Sequence, residues 1–237
     1  MSGGKHGWRV GVVVPAHDEA TTVGPCLRSI RASLAAAHVS DAWIVVVADR
    51  CHDATVATAR SELGPAGEVL QVDAGNVGQA RALGTRALLR RLGDPQSAIW
   101  VLTTDADTVV PGDWVAGHLR LADAGAAAVA GIVRIDSFAG HPPHVEPRHR
   151  RAYVVNADGT HAHVHGANLG VRADAYLAIG GWAPLITAED HDLWDRLRAD
   201  GWPAVSSIES WVTTSGRALG RAPEGLAWRL GTYGAAP

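Results

Sequence analysis

The chain has 237 residues, 47% of them hydrophobic and 19% charged, with a formal net charge of −3. That length and mix can bury a full core without disulfide or metal staples, and the mildly acidic balance gives no reason to expect the basic stripe of a nucleic-acid-binding protein. Cys26 and Cys51 form no C-x-x-C pair, no stretch reaches the roughly 18 apolar residues of a membrane span, and the polar start Met1 to Arg9 lacks the apolar centre of a signal peptide. These features lead us to expect a cytoplasmic protein without a transmembrane segment, and they leave room for peripheral attachment to a membrane surface.

Val10 to Val14 is a continuous apolar run closed by Pro15, the pattern of a strand buried on both faces. Thr21 and Thr22 open a helical stretch with Val23, Leu27, Ile30 and Leu34 on one side. Trp43 to Val47 reads as a second strand, Asp53-Ala54-Thr55 caps a helix to about Leu63, and Gly64-Pro65 stops it. Val69 to Val72 is a third strand, Asn76-Val77-Gly78 leads into a helix to Leu92, and Ile99 to Leu102 is a fourth strand. Repeated strand–helix alternation predicts an α/β fold with an open, mostly parallel sheet and helices on both faces. Further on, Pro111-Gly112-Asp113 starts a helix and Ala127 to Val133 is a strand. Phe138 to Arg151 reads as a loop or mobile segment, and His161 to Leu169 as extended chain. Arg172 to Ile179 and Ala188 to Ala199 are helical, and Pro203 to Ile208 is a last strand. No repeat, low-complexity tract or linker interrupts this order, so one domain over residues 1–237 is expected.

In open α/β sheets, ligands bind beyond the carboxyl ends of the strands. Those ends carry Pro15-Ala16-His17-Asp18-Glu19, Ala48-Asp49-Arg50, Asp73 to Gly78 and Asp105-Ala106-Asp107. Two carboxylates one residue apart at the exit of a buried strand are costly unless something positive sits beside them. A hard divalent cation such as Mn²⁺ or Mg²⁺, shared with phosphate oxygens, suits them; the competing reading is a solvated turn whose acids cap the next segment. A lone carboxylate at Asp49 can accept the N–H of a nucleobase, whereas Asp53 reads as a structural helix cap.

Taken together, Val13-Val14-Pro15-Ala16-His17-Asp18-Glu19, Ala48-Asp49-Arg50-Cys51-His52-Asp53, Asn76-Val77-Gly78, Asp105-Ala106-Asp107, Gly166-Ala167-Asn168-Leu169-Gly170, Gly180-Gly181-Trp182 and Glu189-Asp190 resemble, in order, the family 2 glycosyltransferases of the GT-A fold. The resemblance spans about Val10 to Gly201. It implies a Rossmann-like nucleotide-sugar-binding half over about 9–110 and an acceptor-binding half with a C-terminal loop over about 111–237. Pro15 and Ala16 would lie against the nucleoside, Glu19 near the ribose, and Asp49 at the uracil edge. Gly78 would let backbone approach the donor, Asp105 would contact ribose or metal, and Asp107 would coordinate the metal on the diphosphate. The sequence departs from the family after the second strand, where a pair of acids becomes Ala48-Asp49 and Gly-Ser becomes Arg50-Cys51. This puts the identity of the base in question.

Thr187-Ala188-Glu189-Asp190 also reads as a capping box with acids in a first helical turn. At about 100° per residue, however, Asp190 shares a face with Leu193, Trp194 and Leu197, while Glu189 points elsewhere. An acid on the apolar face is unlike a solvated cap, and the family's catalytic base falls at Asp190, with Glu189 as a supporting acceptor-side contact. His161, His163 and His165 would project from one face of a strand. They could bind zinc, form a solvated edge or wall the acceptor pocket, with His165 the one to touch ligand. Asn168 and Trp182 are further acceptor-side candidates, Trp182 by stacking. Arg217 and Arg221, in a Gly- and Ser-bearing segment, could fold over a diphosphate.

The expected activity is metal-dependent transfer of a sugar from a nucleoside-diphosphate sugar, UDP-linked with GDP as nearest rival, to a hydroxyl acceptor, with inversion. A nucleotidyltransferase of the same fold is the first alternative, but its Gly-rich basic loop is absent after the first strand. A non-catalytic sugar-nucleotide-binding module is the second, opposed by the presence of both Asp107 and Asp190. A dinucleotide-binding oxidoreductase lacks its G-x-G-x-x-G.

Overall fold

The computed structural model describes residues 7–220 and 225–235. The four apolar runs of the first half become β1 (Arg9–Ala16), β2 (Ala42–Asp49), β3 (Gly67–Val72) and β4 (Ile99–Thr103), parallel and in the order β3-β2-β1-β4. Helices α1 (Val23–Ala36), α2 (Thr55–Leu63) and α3 (Val77–Leu92) connect them. Both faces of the central strands are covered, which is why their sequences do not alternate. Val10, Val12, Val14, Ile44, Val46, Trp100 and Leu102 enter one core with Leu27 and Ile30 of α1 and Leu63 of α2. Val13, Val45, Val47, Ile99 and Val101 enter a second core with Ala80, Leu88 and Leu92 of α3. Each fully buried Val or Leu is worth about 1.5–3 kcal/mol, so a polar replacement in β1 is costly on either face.

The second half adds β5 (Thr108–Val109), α4 (Trp114–Asp123), β6 (Ala128–Ile135), α5 (Val145–Ala152), β7 (Leu169–Arg172), α6 (Ala173–Ala178), α7 (Glu189–Ala199), β8 (Ala204–Thr214) and α8 (Leu226–Ala235). It continues the same eight-stranded sheet, in the full order β3-β2-β1-β4-β7-β6-β8-β5. Here the pairing is mixed: β7 is antiparallel to β4 and to β6, β8 is parallel to β6, and β5 is antiparallel to β8. Between β6 and β8 the register jumps from Gly131 opposite Ser207 to Ile132 opposite Trp211. Residues 208–210 bulge there, and Ser210 ends fully buried. Because β5 directly follows Asp107 and pairs with the end of β8, the Asp105-Ala106-Asp107 segment bridges the middle of the sheet and its last strands.

Several expectations change. The segment read as a loop or mobile stretch, Phe138 to Arg151, contains α5, started by the fully buried Val145. Arg148 ties α5 to α8 by donating to the Tyr233 carbonyl at 2.8 Å. That second helix stands where a C-terminal loop was expected, and it is anchored by the buried Leu230. His161 to Leu169 is not a strand: it makes a single bridge, His161 to Val155, then a one-turn 3-10 helix at Gly166–Asn168, and β7 begins only at Leu169. The last strand runs to Thr214, beyond Ile208. Among the described residues no helix is long and apolar enough to cross a membrane.

Candidate active site

A cavity of about 460 Å³ lies where the loops after β1, β2, β3 and β4 meet those of the second half. It is lined by Pro15, Ala16, Glu19, Asp49, Asp105 and Asp107 from the first half and by His165, Glu189, Asp190 and Arg217 from the second. Acids that are far apart in sequence therefore share one space.

Asp49 ends β2 with its carboxylate turned to the next loop. Oδ1 accepts the N–H groups of Ala74 (2.8 Å) and Gly75 (3.2 Å), and Oδ2 accepts that of Gly75 (3.0 Å). Asn76 then caps α3, accepting the Gln79 N–H at 2.7 Å. Asp53, read as a cap, accepts the Thr55 N–H at 2.9 Å and also the Ala20 N–H at 3.1 Å, which joins the first loop to the second. Glu19 is buried and accepts the Thr22 hydroxyl at 2.7 Å. Arg217 reaches Glu19 at 2.6 Å and Asp107 at 2.9 Å, so one guanidinium spans the first loop and the acid motif. Thr214 donates to Asp107 Oδ1 at 3.3 Å. Burial, then the neighbouring Asp105, push the Asp107 carboxyl up to about 6; Arg217 opposes them and Glu19 adds to the rise. The carboxylate of Asp107 is thus short of positive charge even with Arg217 beside it.

Arg81 is the site residue that sequence reading missed. It is 2% exposed, bonds Asp105 through Nη2 at 2.6 Å and Thr103 Oγ1 through Nε at 3.2 Å, and pairs with Glu189 through Nη1. Gly166 makes room for it, since a Cβ there would collide with the guanidinium. A signal was present: Arg81 shares a helical face with Thr85, Leu88 and Leu92, and a charge in that row has the same diagnostic value used for Asp190.

On α7 the depth order differs from expectation. Glu189 is the buried acid, 5% exposed, on the row of Leu193 and Leu197, while Asp190 is half-buried at the cavity wall. Glu189 is therefore a partner of Arg81 rather than a free acceptor-side group, and burial raises its proton affinity despite that pair. The capping box does not form. Ala188 holds the N-cap position in the left-handed region (φ 59°) with no side-chain cap bond. Asp190 is oriented by backbone instead: Oδ2 accepts the Gly166 N–H at 2.8 Å and Oδ1 the His191 N–H at 2.8 Å. His165 lines the same wall with Nε2 buried and unpartnered. Burial drives its imidazole down to about 3, with Asp190 pulling the other way, so it is neutral near pH 7.

Three other candidates lie elsewhere. Gly78 does not face the cavity; a Cβ there would strike the Ala183 carbonyl and the Leu185 backbone, so its bareness admits the 183–185 loop rather than a donor. Asn168 is fully buried, its Oδ1 accepting from Trp114 Nε1 (2.9 Å) and Ser210 Oγ (3.0 Å) and its Nδ2 donating to the carbonyls of Ile132 and Ser210. Its amide satisfies a core network and has no reach to a ligand. Trp182 is 6% exposed and packs under Arg81, 5.5 Å from ring centroid to guanidinium carbon, so it stacks on an arginine instead of an acceptor. Arg221 lies outside the described residues.

His161, His163 and His165 have nearly parallel rings, 27° and 6° apart with centroids at 5.9 and 6.0 Å, and do not converge on a point as zinc ligands would. Tyr153 stacks on His163 at 3.9 Å. Among the described residues no three His, Cys, Asp or Glu groups form a complete metal-binding set. A divalent ion nevertheless suits Asp107, a buried hard oxygen donor short of positive charge, provided that phosphate oxygens supply further ligands.

The model of the family described as glycosyltransferase like family 2 matches residues 6–223. Among solved structures, S. aureus TarS 1-349 in complex with UDP-GlcNAc superposes with a TM-score of 0.67 at 14% identity, over 90% of this chain and 60% of that one. The mannosyltransferase PcManGT from Pyrobaculum calidifontis, in complex with GDP-Man and Mn²⁺, gives 0.64 at 21% identity, over 93% of this chain and 59% of that one. The chain thus spans about three-fifths of the length of these similar structures. No curated protein matches it. The family match covers nearly the whole chain and the eight-stranded mixed sheet carries the GT-A fold of those structures, so the chain belongs to the glycosyltransferase-like family 2.

Proposed function

We propose that the chain transfers a sugar from a nucleoside-diphosphate sugar to an acceptor hydroxyl, with inversion and with Asp190 as the base. The observation that carries this reading is that Asp49, Asp105, Asp107 and Asp190 all line one cavity. Pro15 and Ala16 form the nucleoside wall, with Glu19 and Asp105 toward the ribose. Asp49 keeps lone pairs for a base N–H beyond its bonds to Ala74 and Gly75, an arrangement that serves uracil and, as the rival, guanine. Arg217, between Glu19 and Asp107, is placed to exchange a carboxylate for diphosphate oxygens. Asp107 would hold a divalent cation together with those oxygens, and the cation would supply Lewis-acid stabilisation of the leaving diphosphate.

Asp190 takes the proton of the acceptor hydroxyl as its oxygen bonds to the anomeric carbon and the bond from that carbon to the diphosphate breaks, releasing nucleoside diphosphate. The Gly166 and His191 N–H groups fix the carboxylate's direction, and neutral His165 does not compete for the proton. The test is thermal stabilisation by UDP and by GDP, each with and without Mn²⁺. Near-saturating nucleotide with Mn²⁺ should raise Tm by about 5 °C or more, and Asp107→Ala should abolish the Mn²⁺-dependent part. No stabilisation by either nucleotide, or an equal response in the variant, removes the donor-site assignment.

A further inference from the structure

The cavity wall near Asp190 carries a cluster of apolar side chains. It includes Val133, Val164 and Leu226 and the rings of Tyr153 and His165, with Thr187 and His191 as further polar lining beside Asp190. Two of its polar groups are engaged within the protein. Glu189 is paired with Arg81, and the Tyr153 hydroxyl accepts the Val133 N–H at 2.9 Å. Burial holds the lining His149 and His165 below their ordinary proton affinity, so they bring no charge to the wall near pH 7. Among the described residues Asn76, whose side chain caps α3, is the one amide side chain in the lining. A saccharide presents many hydroxyls, and each needs a partner on entering a pocket; this wall supplies few.

Arg229 brings a positive charge to that wall. Arg229 lines the cavity close enough to lower the proton affinity of His149, Tyr153, His163 and His165 through its charge. Among the described residues no carboxylate lies within ion-pair distance of it. A guanidinium fork over apolar surface selects one anionic group.

We propose, granting the transfer reading above, that the acceptor is a hydrophobic hydroxy acid. Its aliphatic or aromatic skeleton lies along Val133, Val164, Leu226 and Tyr153, its hydroxyl faces Asp190, and its carboxylate meets Arg229.

The test is isothermal titration of the whole chain with ω-hydroxydecanoate and para-hydroxycinnamate, with their methyl esters, and with cellobiose, no donor being present. At least one acid should bind about tenfold more tightly than its ester, and the ester more tightly than cellobiose. Arg229→Gln should erase the acid-over-ester preference, Arg229→Lys should keep part of it, and Leu226→Asn should weaken acid and ester alike. Tightest binding by cellobiose, or an acid-to-ester ratio unchanged in Arg229→Gln, overturns the proposal. Because these titrations use no donor, failure of UDP and GDP to stabilise the protein would remove the transfer reading while leaving this site standing. Nucleotide binding combined with a cellobiose preference would do the reverse.

Discussion

At the scale of single residues, Arg81 and Asp190 divide the work. Arg81 is a buried cation whose two carboxylate partners come from the loop after β4 and from the start of α7. Removing it strands Glu189, the more deeply buried of the two, without compensation. Arg81→Met should therefore cost about 3–5 kcal/mol of unfolding free energy, read by denaturant titration, and adding Glu189→Gln should return part of it. A loss below ~1 kcal/mol would show that the pair is not formed as described. Asp190 is half-buried and held by backbone N–H groups, so its replacement should leave the core intact. Asp190→Asn should lower kcat by about 10²–10⁴ while nucleoside-diphosphate affinity stays within about twofold. Transfer surviving at the wild-type rate would exclude Asp190 as the base.

At the scale of elements, the active side is assembled from close contacts between loops. The 183–185 loop sits against the first turn of α3 because Gly78 has no side chain, and its N–H donates to the Leu185 carbonyl at 3.3 Å. That loop leads within a few residues into α7 and its two acids. Gly78→Ala adds a methyl where backbone already stands. It should cost about 1–3 kcal/mol and, because α7 must shift, lower kcat beyond what reduced folding explains. Thermal melts and kcat measured on the same preparations test both parts; an unchanged Tm would mean the loop has slack that the close approach denies.

At the scale of the whole molecule, one sheet carries both sides of the cavity, and a buried polar knot fastens its second half. His118 of α4 lies fully buried, with Nε2 3.1 Å from Asn168 Oδ1 and 2.9 Å from Ser210 Oγ. Burial drives its proton affinity from the ordinary 6.5 to about 4, with Asn168 opposing. A histidine lowered on folding contributes stability that is whole above the unfolded value and lost as pH falls toward the folded one. The protein should therefore lose about 3 kcal/mol from this group between pH 6.5 and pH 4. Urea titrations across that range should show a flatter pH dependence in His118→Gln; an identical slope would mean that His118 titrates normally.

The first four strands, their parallel character and a ligand side at their carboxyl ends were legible in the sequence, while the grouping of Asp190 with Asp105-Ala106-Asp107 rested on the family resemblance. Unbroken apolar runs mark strands covered on both faces, and acids at the carboxyl ends of such strands mark a ligand side. What the sequence alone could not reach depends on long-range packing. Arg81 joins Glu189 across 108 residues. The glycine at 78 serves a loop rather than a ligand, Asn168 and Trp182 turn inward, and α5 and α8 hold each other in a stretch that reads as loop. The mixed pairing of the second half, with a bulge in the parallel β6–β8 pair opposite Gly131 and Ile132, likewise arises only from strand pairing. Periodicity and capping act over a few neighbouring residues, so they specify helices, strands and their inward faces. Which charge neutralises which, and which polar group faces a cavity instead of the core, is set by contacts that exist only once distant elements have packed.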